Sequence, residues 1–98
     1  MKLLVDDCRS GIGYDIVARN AHAAIAVLNS NIHISEIDLD FDLGYGPTGE
    51  EVAKWIVDHA DKVGPMKWFV VSDNPDGRVR LKSAMEHADK IWKDKVKL

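Results

Sequence analysis

Apolar residues fall into short runs and helical stripes that alternate regularly along the first third of the chain. KLLVD (residues 2–6) and YDIVAR (14–19) are apolar runs of strand length. NAHAAIAVLNSN (20–31) follows with apolar side chains at helical spacing, after a potential helix cap at Asn20. This pattern predicts two strands and then a helix.

The segment EIDLDFDLGYGPTG (residues 36–49) alternates aspartates with apolar residues at every second position. Period-two alternation is typical of a strand, so we expect Asp38, Asp40 and Asp42 to share one side of it. Carboxylates packed together raise one another's pKa values unless a cation, hydrogen-bond donors or solvent compensates them. The stretch therefore predicts a third strand and marks the first place to look for chemistry.

Two helices and one strand are predicted in the second half of the chain. Thr48 and Glu51 have the spacing of a capping box that opens a helix. MKWFVVS (residues 66–72) is a nearly continuous apolar run, typical of a strand covered on both faces, and Asn74 then caps a last helix that begins at Pro75. The core face of the first of these helices is predicted to contain Val52, Trp55, Ile56, His59, Ala60 and Val63.

The resulting order of elements is β, β, α, β, α, β, α, which predicts an α/β fold with right-handed crossovers. We expect a small three-layer sandwich with a mainly parallel sheet of about four strands. A chain of 98 residues suits one domain, so residues 1–98 are predicted to form a single unit.

Composition and charge limit the partners and the cellular compartment that we expect for this protein. Hydrophobic residues are 46% of the chain and no apolar run has bilayer-spanning length, so a membrane partner is not expected. The net charge of −3 gives no electrostatic drive toward DNA. The N-terminal segment does not resemble a secretory signal and Cys8 is the single cysteine, so we expect a cytoplasmic protein.

Acidic residues follow two of the predicted strands and a hydroxyl follows a third. Ligands bind at the carboxyl ends of the strands in parallel sheets, where Asp6, Asp7, Asp40, Asp42 and Ser72 should converge. Clustered carboxylates beside helix N-termini suit a hard cation such as Mg²⁺ bound next to a phosphate. Alternatively, Asp6 and Asp7 are loop acids, and Asp40 or Asp42 caps a turn.

Three segments together resemble the cyclic-phosphate processing receiver domain family, a compact relative of response-regulator receivers. These are LLVDDCR, IDLDFDLG with a following TG, and VVSDNPDGR. The resemblance extends through most of the chain and implies a shortened, flavodoxin-like receiver topology. The matching residues are Asp6, Asp7, Arg9, Asp40, Asp42, Gly44, Thr48, Gly49, Ser72, Asn74, Gly77 and Arg78.

The family resemblance also implies roles for these residues. It makes Asp6 and Asp7 an acidic metal pair, and either Asp40 or Asp42 the aspartate that accepts a phosphoryl group or orients the metal. The expected cofactor is Mg²⁺ or Mn²⁺, held by Asp6, Asp7, Asp40 and Asp42. The expected phosphate-binding residues are Thr48, Ser72, Asn74, Arg78 and Arg9, although a surface salt bridge to nearby aspartates is an equal alternative for both arginines.

The sequence departs from the family pattern at positions suited to proton transfer and phosphoryl signalling. The family motifs have a histidine between the two aspartates after the third strand and another just before the serine. This chain has Phe41 and Val71 at those two positions. A receiver also carries a lysine after a fifth strand, and only Lys95 and Lys97, in the C-terminal tail, could supply it.

Two functional classes are compatible with these residues. The first is a metal-dependent phosphoesterase that processes cyclic or terminal phosphates of nucleotides or RNA ends, in keeping with the family's association with RNA repair and conflict systems. The second is a catalytically degraded receiver-like module that binds a protein partner or a phosphorylated ligand. Loss of both histidines favours the second class, and retention of all four acids favours the first.

Overall fold

The computed structural model describes residues 1–96, which contain four strands and four helices. The bounds agree with the predicted order of elements, apart from one additional short helix. The strands are β1 (Lys2–Val5), β2 (Ile16–Ala18), β3 (Glu36–Leu39) and β4 (Lys67–Val70), and the helices are α1 (Ala21–Leu28), α2 (Gly49–Asp58), α3 (Ala60–Val63) and α4 (Pro75–Val96).

All four strands are parallel, in the order β2-β1-β3-β4. Val5 lies beside Leu39, and Leu39 lies beside Val70, so β1, β3 and β4 end at the same level. The predicted α/β fold with a receiver-like topology is confirmed. The register also places the residues that follow these strands next to one another.

One face of the sheet packs against all the long helices. Leu3, Val5, Ile37 and Leu39 belong to the same buried cluster as the helix side chains, and α2 lies between α1 and α4. The opposite face is crossed by residues 6–15, which connect β1 to β2 without a helix. In the described chain the expected third layer is therefore a loop, because this polar, glycine-containing segment has no helical stripe of apolar residues.

The prediction that β4 is covered on both faces was wrong. β4 pairs with β3 alone among the described residues and forms the edge of the sheet, and the Phe69 side chain is 52% exposed. The apolar run reflects one buried face and one open face. Lys95 lies on α4 rather than on a fifth strand, and Lys97 lies outside the described residues.

Three predicted helix caps are present. Asn20 Oδ1 accepts a hydrogen bond from the Ala23 N–H at 2.8 Å. Thr48 Oγ1 accepts from the Glu50 N–H at 3.2 Å, and Asn74 Oδ1 accepts from the Gly77 N–H at 3.0 Å. The last two caps fix where α2 and α4 begin, at the end of the sheet where the acids collect.

Two local expectations need correction. β3 ends at Leu39, so of the three alternating aspartates only Asp38 lies in the strand. Their carboxylates have three different hydrogen-bond partners: Tyr14 for Asp38, Ser72 for Asp40 and Asn74 for Asp42. His59 is exposed rather than part of the core face, because α2 ends at Asp58 and the chain turns before α3. Its ring stacks on Trp55 with 4.1 Å between centroids.

No helix among residues 1–96 combines the length and the apolar character needed to cross a bilayer.

Candidate functional site

The carboxyl ends of β1, β3 and β4 form one continuous edge, which we call the carboxyl-end rim. It consists of Asp6–Arg9 after β1, Asp40–Asp42 after β3, and Val71–Asn74 after β4. The backbone joins these segments as the strands end, because the Asp40 N–H donates to the Val5 carbonyl at 2.9 Å and the Val71 N–H donates to the Leu39 carbonyl at 3.1 Å.

Asp6 is the buried acid of the rim, with 1% of its surface exposed. The N–H groups of Cys8 and Arg9 donate to its Oδ1 at 3.0 and 2.9 Å. The Arg9 guanidinium donates to Oδ2 at 3.1 Å and forms a salt bridge with it. Burial acts to raise the pKa of Asp6, but these donors and the Arg9 charge more than offset it, so the pKa lies below its ordinary value.

Asp7 is exposed and lies beside Asp6 and Cys8. Ligand atoms of these three residues all lie within 4.8 Å of one another. A side-chain carbon at Gly44 would be 3.6 Å from Asp7 Oδ2, so Asp7 also borders the loop between β3 and α2. The Asp7 charge, followed by burial and the Asp6 charge, raises the pKa of the Cys8 thiol. Cys8 therefore stays a neutral thiol at pH 7, which argues against a role as a nucleophile.

The surroundings of Asp40 shift its pKa in the direction opposite to that of Asp6. Burial raises the pKa of Asp40 above its ordinary value and the Asp6 charge adds to this, while a hydrogen bond with Ser72 partly compensates. Ser72 is 1% exposed, and its Oγ also accepts from the Asn74 N–H at 3.2 Å. Asp6, Asp40 and Ser72 thus form a connected row after three neighbouring strands, in which Asp6 and Ser72 are buried and Asp40 is partly buried.

Two glycines hold the turn after β3 in place. A side-chain carbon at Gly49 would lie 1.9 Å from the Asp40 carbonyl oxygen, and the Gly49 N–H donates to the Phe41 carbonyl at 2.8 Å. A side-chain carbon at Gly77 would lie 2.4 Å from the Phe41 ring. The first turns of α2 and α4 therefore close tightly around Asp40 and Phe41, and Phe41 occupies the space beside the α4 N-terminus.

Asp42 has its hydrogen-bond partner outside the acidic cluster. It is exposed, and its Oδ2 accepts from Asn74 Nδ2 at 3.5 Å. The structure therefore brings together Asp6 with Asp7 and Asp6 with Asp40, whereas Asp42 lies beside the α4 cap. Thr48 caps α2 on the far side of the β3 turn.

The two arginines from the motifs bind backbone carbonyls at the end of β4. Arg9 Nη2 donates to the Val71 carbonyl at 2.7 Å, and Arg78 Nη1 donates to the Ser72 carbonyl at 2.9 Å. Arg9 also makes the salt bridge with Asp6 that was one of its two alternatives, so it connects the segments after β1 and β4. Arg78 connects the first turn of α4 to the end of β4. A guanidinium has five N–H donors, and these bonds use only one or two of them.

Sequence reasoning missed two residues that support the site. Arg19 Nη1 donates to the carbonyls of Asp6 and Arg9 at 3.2 and 2.6 Å, which holds the turn after β1. The Tyr14 hydroxyl donates to Asp38 on the face of the sheet opposite the helices, and this bond raises the Tyr14 pKa to about 12. Arg19 directly follows β2, and that position was the available signal.

Comparison with known proteins gives one family and one fold. The sequence profile of the cyclic-phosphate processing receiver domain family matches residues 1–87. A fusion protein carrying a segment of the yeast Spc42 trimeric coiled coil has a similar structure, with a TM-score of 0.65 and 17% identity over 97% of this chain and 80% of that chain. That likeness concerns the fold alone. No curated protein matches. The chain belongs to the cyclic-phosphate processing receiver domain family.

Proposed function

We propose that this member of the cyclic-phosphate processing receiver domain family binds a divalent cation and a phosphate group at the carboxyl-end rim and opens cyclic phosphates. The proposed substrates are nucleotides or RNA ends that carry the cyclic phosphate. The observation that carries the proposal is the meeting of Asp6, Asp7 and Asp40 at the ends of two adjacent parallel strands.

The donors at the rim fit a hard cation better than a soft one. Asp7 is exposed and offers its carboxylate, and a carboxylate oxygen of Asp6 lies in the same cluster. Oxygen ligands suit Mg²⁺ or Mn²⁺, whereas the neutral thiol of Cys8 does not. Asp40, adjacent to Asp6, is the proposed third carboxylate. A bound cation would supply charge stabilisation for the phosphate and favour ionised Asp40.

The neighbouring residues would bind the phosphate. The N-terminus of α4, which begins at Pro75, provides the positive end of a 22-residue helix next to the rim. The unused N–H groups of Arg9 and Arg78 would donate to phosphate oxygens, and Ser72 would position Asp40. The free, exposed Cys8 is in keeping with the proposed reducing cytoplasm.

A receiver-like binding module is the second candidate. Phe41 is the observation that favours it, because its ring packs against Gly77 where the family has a histidine suited to acid–base catalysis. In this case the rim would bind a phosphorylated ligand or a protein partner without turnover.

The metal site can be tested by titrating MgCl₂ or MnCl₂ while following backbone amide shifts. We expect saturable shifts at Asp6, Asp7 and Asp40 in the millimolar range or below. Asp7→Asn should weaken binding, and Asp58→Asn, an exposed aspartate at the far end of α2, should not. Absence of saturable shifts at the rim would reject the cation site.

Turnover can be tested with nucleoside 2′,3′-cyclic phosphates and with RNA that ends in one. The purified protein should open them with Mg²⁺ or Mn²⁺, Asp40→Ala should abolish opening, and Asp58→Ala should retain it. Phe41→His combined with Val71→His should raise the rate, because general acid–base help is typically worth about 10²- to 10⁴-fold. No turnover by either protein, together with measurable binding of a phosphorylated ligand, would favour the binding module instead.

A further inference from the structure

The loop between β3 and α2 presents one aromatic ring to solvent. Leu43, near its start, is 4% exposed and belongs to the core cluster. The Gly49 N–H donates to the Phe41 carbonyl at 2.8 Å, which closes the loop at its base. Tyr45 lies two residues after Leu43 and is fully exposed. The loop is therefore held at both ends, while its tip leaves a large and partly apolar ring in water.

The two neighbours of Tyr45 in the chain are glycines. Gly44 and Gly46 have φ angles of 78° and 88°, in the left-handed region that residues with a side chain rarely adopt. A side-chain carbon at Gly46 would meet nothing within 4 Å. Because Tyr45 is fully exposed between two residues without side chains, both faces of its ring are open to a flat ligand group.

Tyr45 lies next to the acidic residues of the carboxyl-end rim. A side-chain carbon at Gly44 would be 3.6 Å from Asp7 Oδ2. Since consecutive Cα atoms are about 3.8 Å apart, the Cα of Tyr45 lies within about 9 Å of that oxygen. Cation–oxygen bonds are about 2.1 Å long, so a phosphate bound through a cation at Asp7 is close to the same loop. One sugar ring joins the base of a nucleotide to such a phosphate, which brings the base within reach of the tyrosine side chain.

The tip of the loop suits a single planar group rather than a protein surface. Stable protein–protein interfaces bury about 800 Å² on each partner. The other residues at the tip, Gly44, Gly46 and Pro47, offer little side-chain surface. Stacking on a neutral ring also requires no basic groove, in agreement with the net charge of −3.

We propose that Tyr45 stacks on the nucleobase of the ligand whose phosphate binds at the carboxyl-end rim. This inference rests on the proposed phosphate site and names the part of the substrate that the site selects. Every base has a π-face, so stacking on an aromatic side chain tolerates any base sequence. The site therefore distinguishes nucleotides and RNA ends from phosphates that lack a base.

The first test compares two ligands that share a cyclic phosphate, adenosine 2′,3′-cyclic phosphate and glycerol 1,2-cyclic phosphate, of which the second has no base. Shifts of the rim amides in MgCl₂ report the affinity for each ligand. Tyr45→Ala should weaken binding of the adenosine ligand by about fivefold or more, because it removes base–aromatic stacking. The affinity for the glycerol ligand should not change, and Tyr45→Phe should keep the wild-type affinity for both.

Ile12→Ala is the matched control. Ile12 is also a large, exposed apolar residue between two glycines, Gly11 and Gly13, but it lies in the loop between β1 and β2 and has no aromatic ring. This variant should bind both ligands as the wild type does.

The result for the glycerol ligand separates this inference from the proposed phosphate site. If the glycerol ligand shifts the rim amides, the phosphate site stands. An unchanged affinity of Tyr45→Ala for the adenosine ligand, or an equal weakening of both ligands, would then overturn the stacking role alone. Absence of rim shifts with either ligand would reject the phosphate site and this inference with it.

The ring protons of Tyr45 provide a second test, which a purely structural role of this residue would not satisfy. Adenosine 2′,3′-cyclic phosphate should move their NMR signals upfield, because a stacked base shields the ring, whereas the glycerol ligand should leave them in place. Tyr45 ring signals that stay unshifted at saturating adenosine ligand would overturn the inference.

Discussion

The turns after β1 and β3 carry the same residue at the same position with opposite electrostatics. Asp6 follows Val5 and Asp40 follows Leu39, and the two strands are neighbours in register. Asp6 is buried and Asp40 is partly buried, and both accept backbone hydrogen bonds. Yet the pKa of Asp6 is lowered and that of Asp40 is raised.

The difference lies in the burial, the hydrogen-bond donors and the charges around each carboxylate, with the Cys8 and Arg9 N–H groups as the largest lowering causes at Asp6 and burial as the largest raising cause at Asp40. Asp6 has the Arg9 guanidinium at 3.1 Å, whereas Asp40 faces ionised Asp6 and has the Ser72 hydroxyl as its side-chain donor. The position in the fold brings carboxylates to the rim, and the backbone N–H donors of the turn, with the Arg9 charge as a smaller contribution, decide which one ionises easily. Asp6 therefore stabilises the rim, and Asp40 is the group with most to gain from a bound cation.

The largest expected effect comes from disrupting the turn after β3 while leaving the turn after β1 intact. Gly49→Ala should lower the free energy of unfolding by about 1–3 kcal/mol or more, because the new carbon overlaps the backbone of Asp40, which cannot move aside as a flexible side chain would. Urea denaturation measures this, with Glu51→Ala, exposed in the same helical turn, as control. Equal stability of both variants would contradict the close approach.

Removing the stabilised carboxylate should have the next largest effect. Asp6→Ala leaves the donors of Cys8 and Arg9 without their acceptor, so we expect a loss of about 1–3 kcal/mol at pH 7. In the metal-free protein, Asp40→Ala should lower the free energy of unfolding by less than Asp6→Ala does. A larger loss for Asp40→Ala would reverse the comparison.

The Asp6 contribution should also depend on pH. Because its folded-state pKa is lowered, its stabilisation is fully present above its ordinary pKa and is lost as the pH falls through the folded value. The stability difference between wild type and Asp6→Asn should therefore shrink in acid. A difference that is constant from neutral to acidic pH would assign the role of Asp6 to packing.

Asp40→Asn should raise the melting temperature of the metal-free protein by a few degrees, corresponding to about 1 kcal/mol or less. A raised folded-state pKa means that ionised Asp40 destabilises the fold above that pKa and is harmless below it, so the gain should disappear in acid. Saturating MgCl₂ should reduce or reverse the gain. Destabilisation at neutral pH without metal would show that Asp40 serves mainly as a structural acceptor.

The smallest effect should come from the cation that distinguishes the two turns. Arg9→Gln should raise the pKa of Asp6 and cost about 0.2–1 kcal/mol, because the arginine is half exposed and its charge is screened. Carboxyl-carbon NMR titration of Asp6 and Asp40 measures both values. An unchanged Asp6 pKa would assign the difference to the backbone N–H donors alone.

The fold and the edge that carries the acids could be predicted from sequence, since apolar periodicity and helix caps are local signals. Asn20, Thr48 and Asn74 cap helices as predicted. The fate of Phe69 could not be predicted, because a continuous apolar run is equally compatible with a central strand and with an edge strand that has one open face. A central strand needs a further strand beside it, and the presence of such a strand is decided by tertiary structure rather than by the local apolar pattern.

Within the site, the meeting of Asp6 and Asp40 followed from parallel strand order, but their opposite pKa shifts did not. The Asp6 shift depends on a turn that directs the Cys8 and Arg9 N–H groups at one oxygen, and hydrogen-bond geometry of that kind leaves no periodic pattern. The spacing of Asp38, Asp40 and Asp42 was misleading because the strand ends at Leu39. Beyond that residue, period-two alternation no longer fixes which way a side chain points.

The strand order β2-β1-β3-β4 has a consequence for the chain as it leaves the ribosome. β1 is synthesised before its two neighbours, and its pairing with β2 can form once residues up to Ala18 have emerged. Its other edge stays open until β3 emerges at Glu36–Leu39, and β3 in turn waits for β4 at Lys67–Val70. Apolar strand edges are therefore exposed through much of translation, so a pause in synthesis after Leu39 would prolong the interval in which a chaperone can bind the nascent chain.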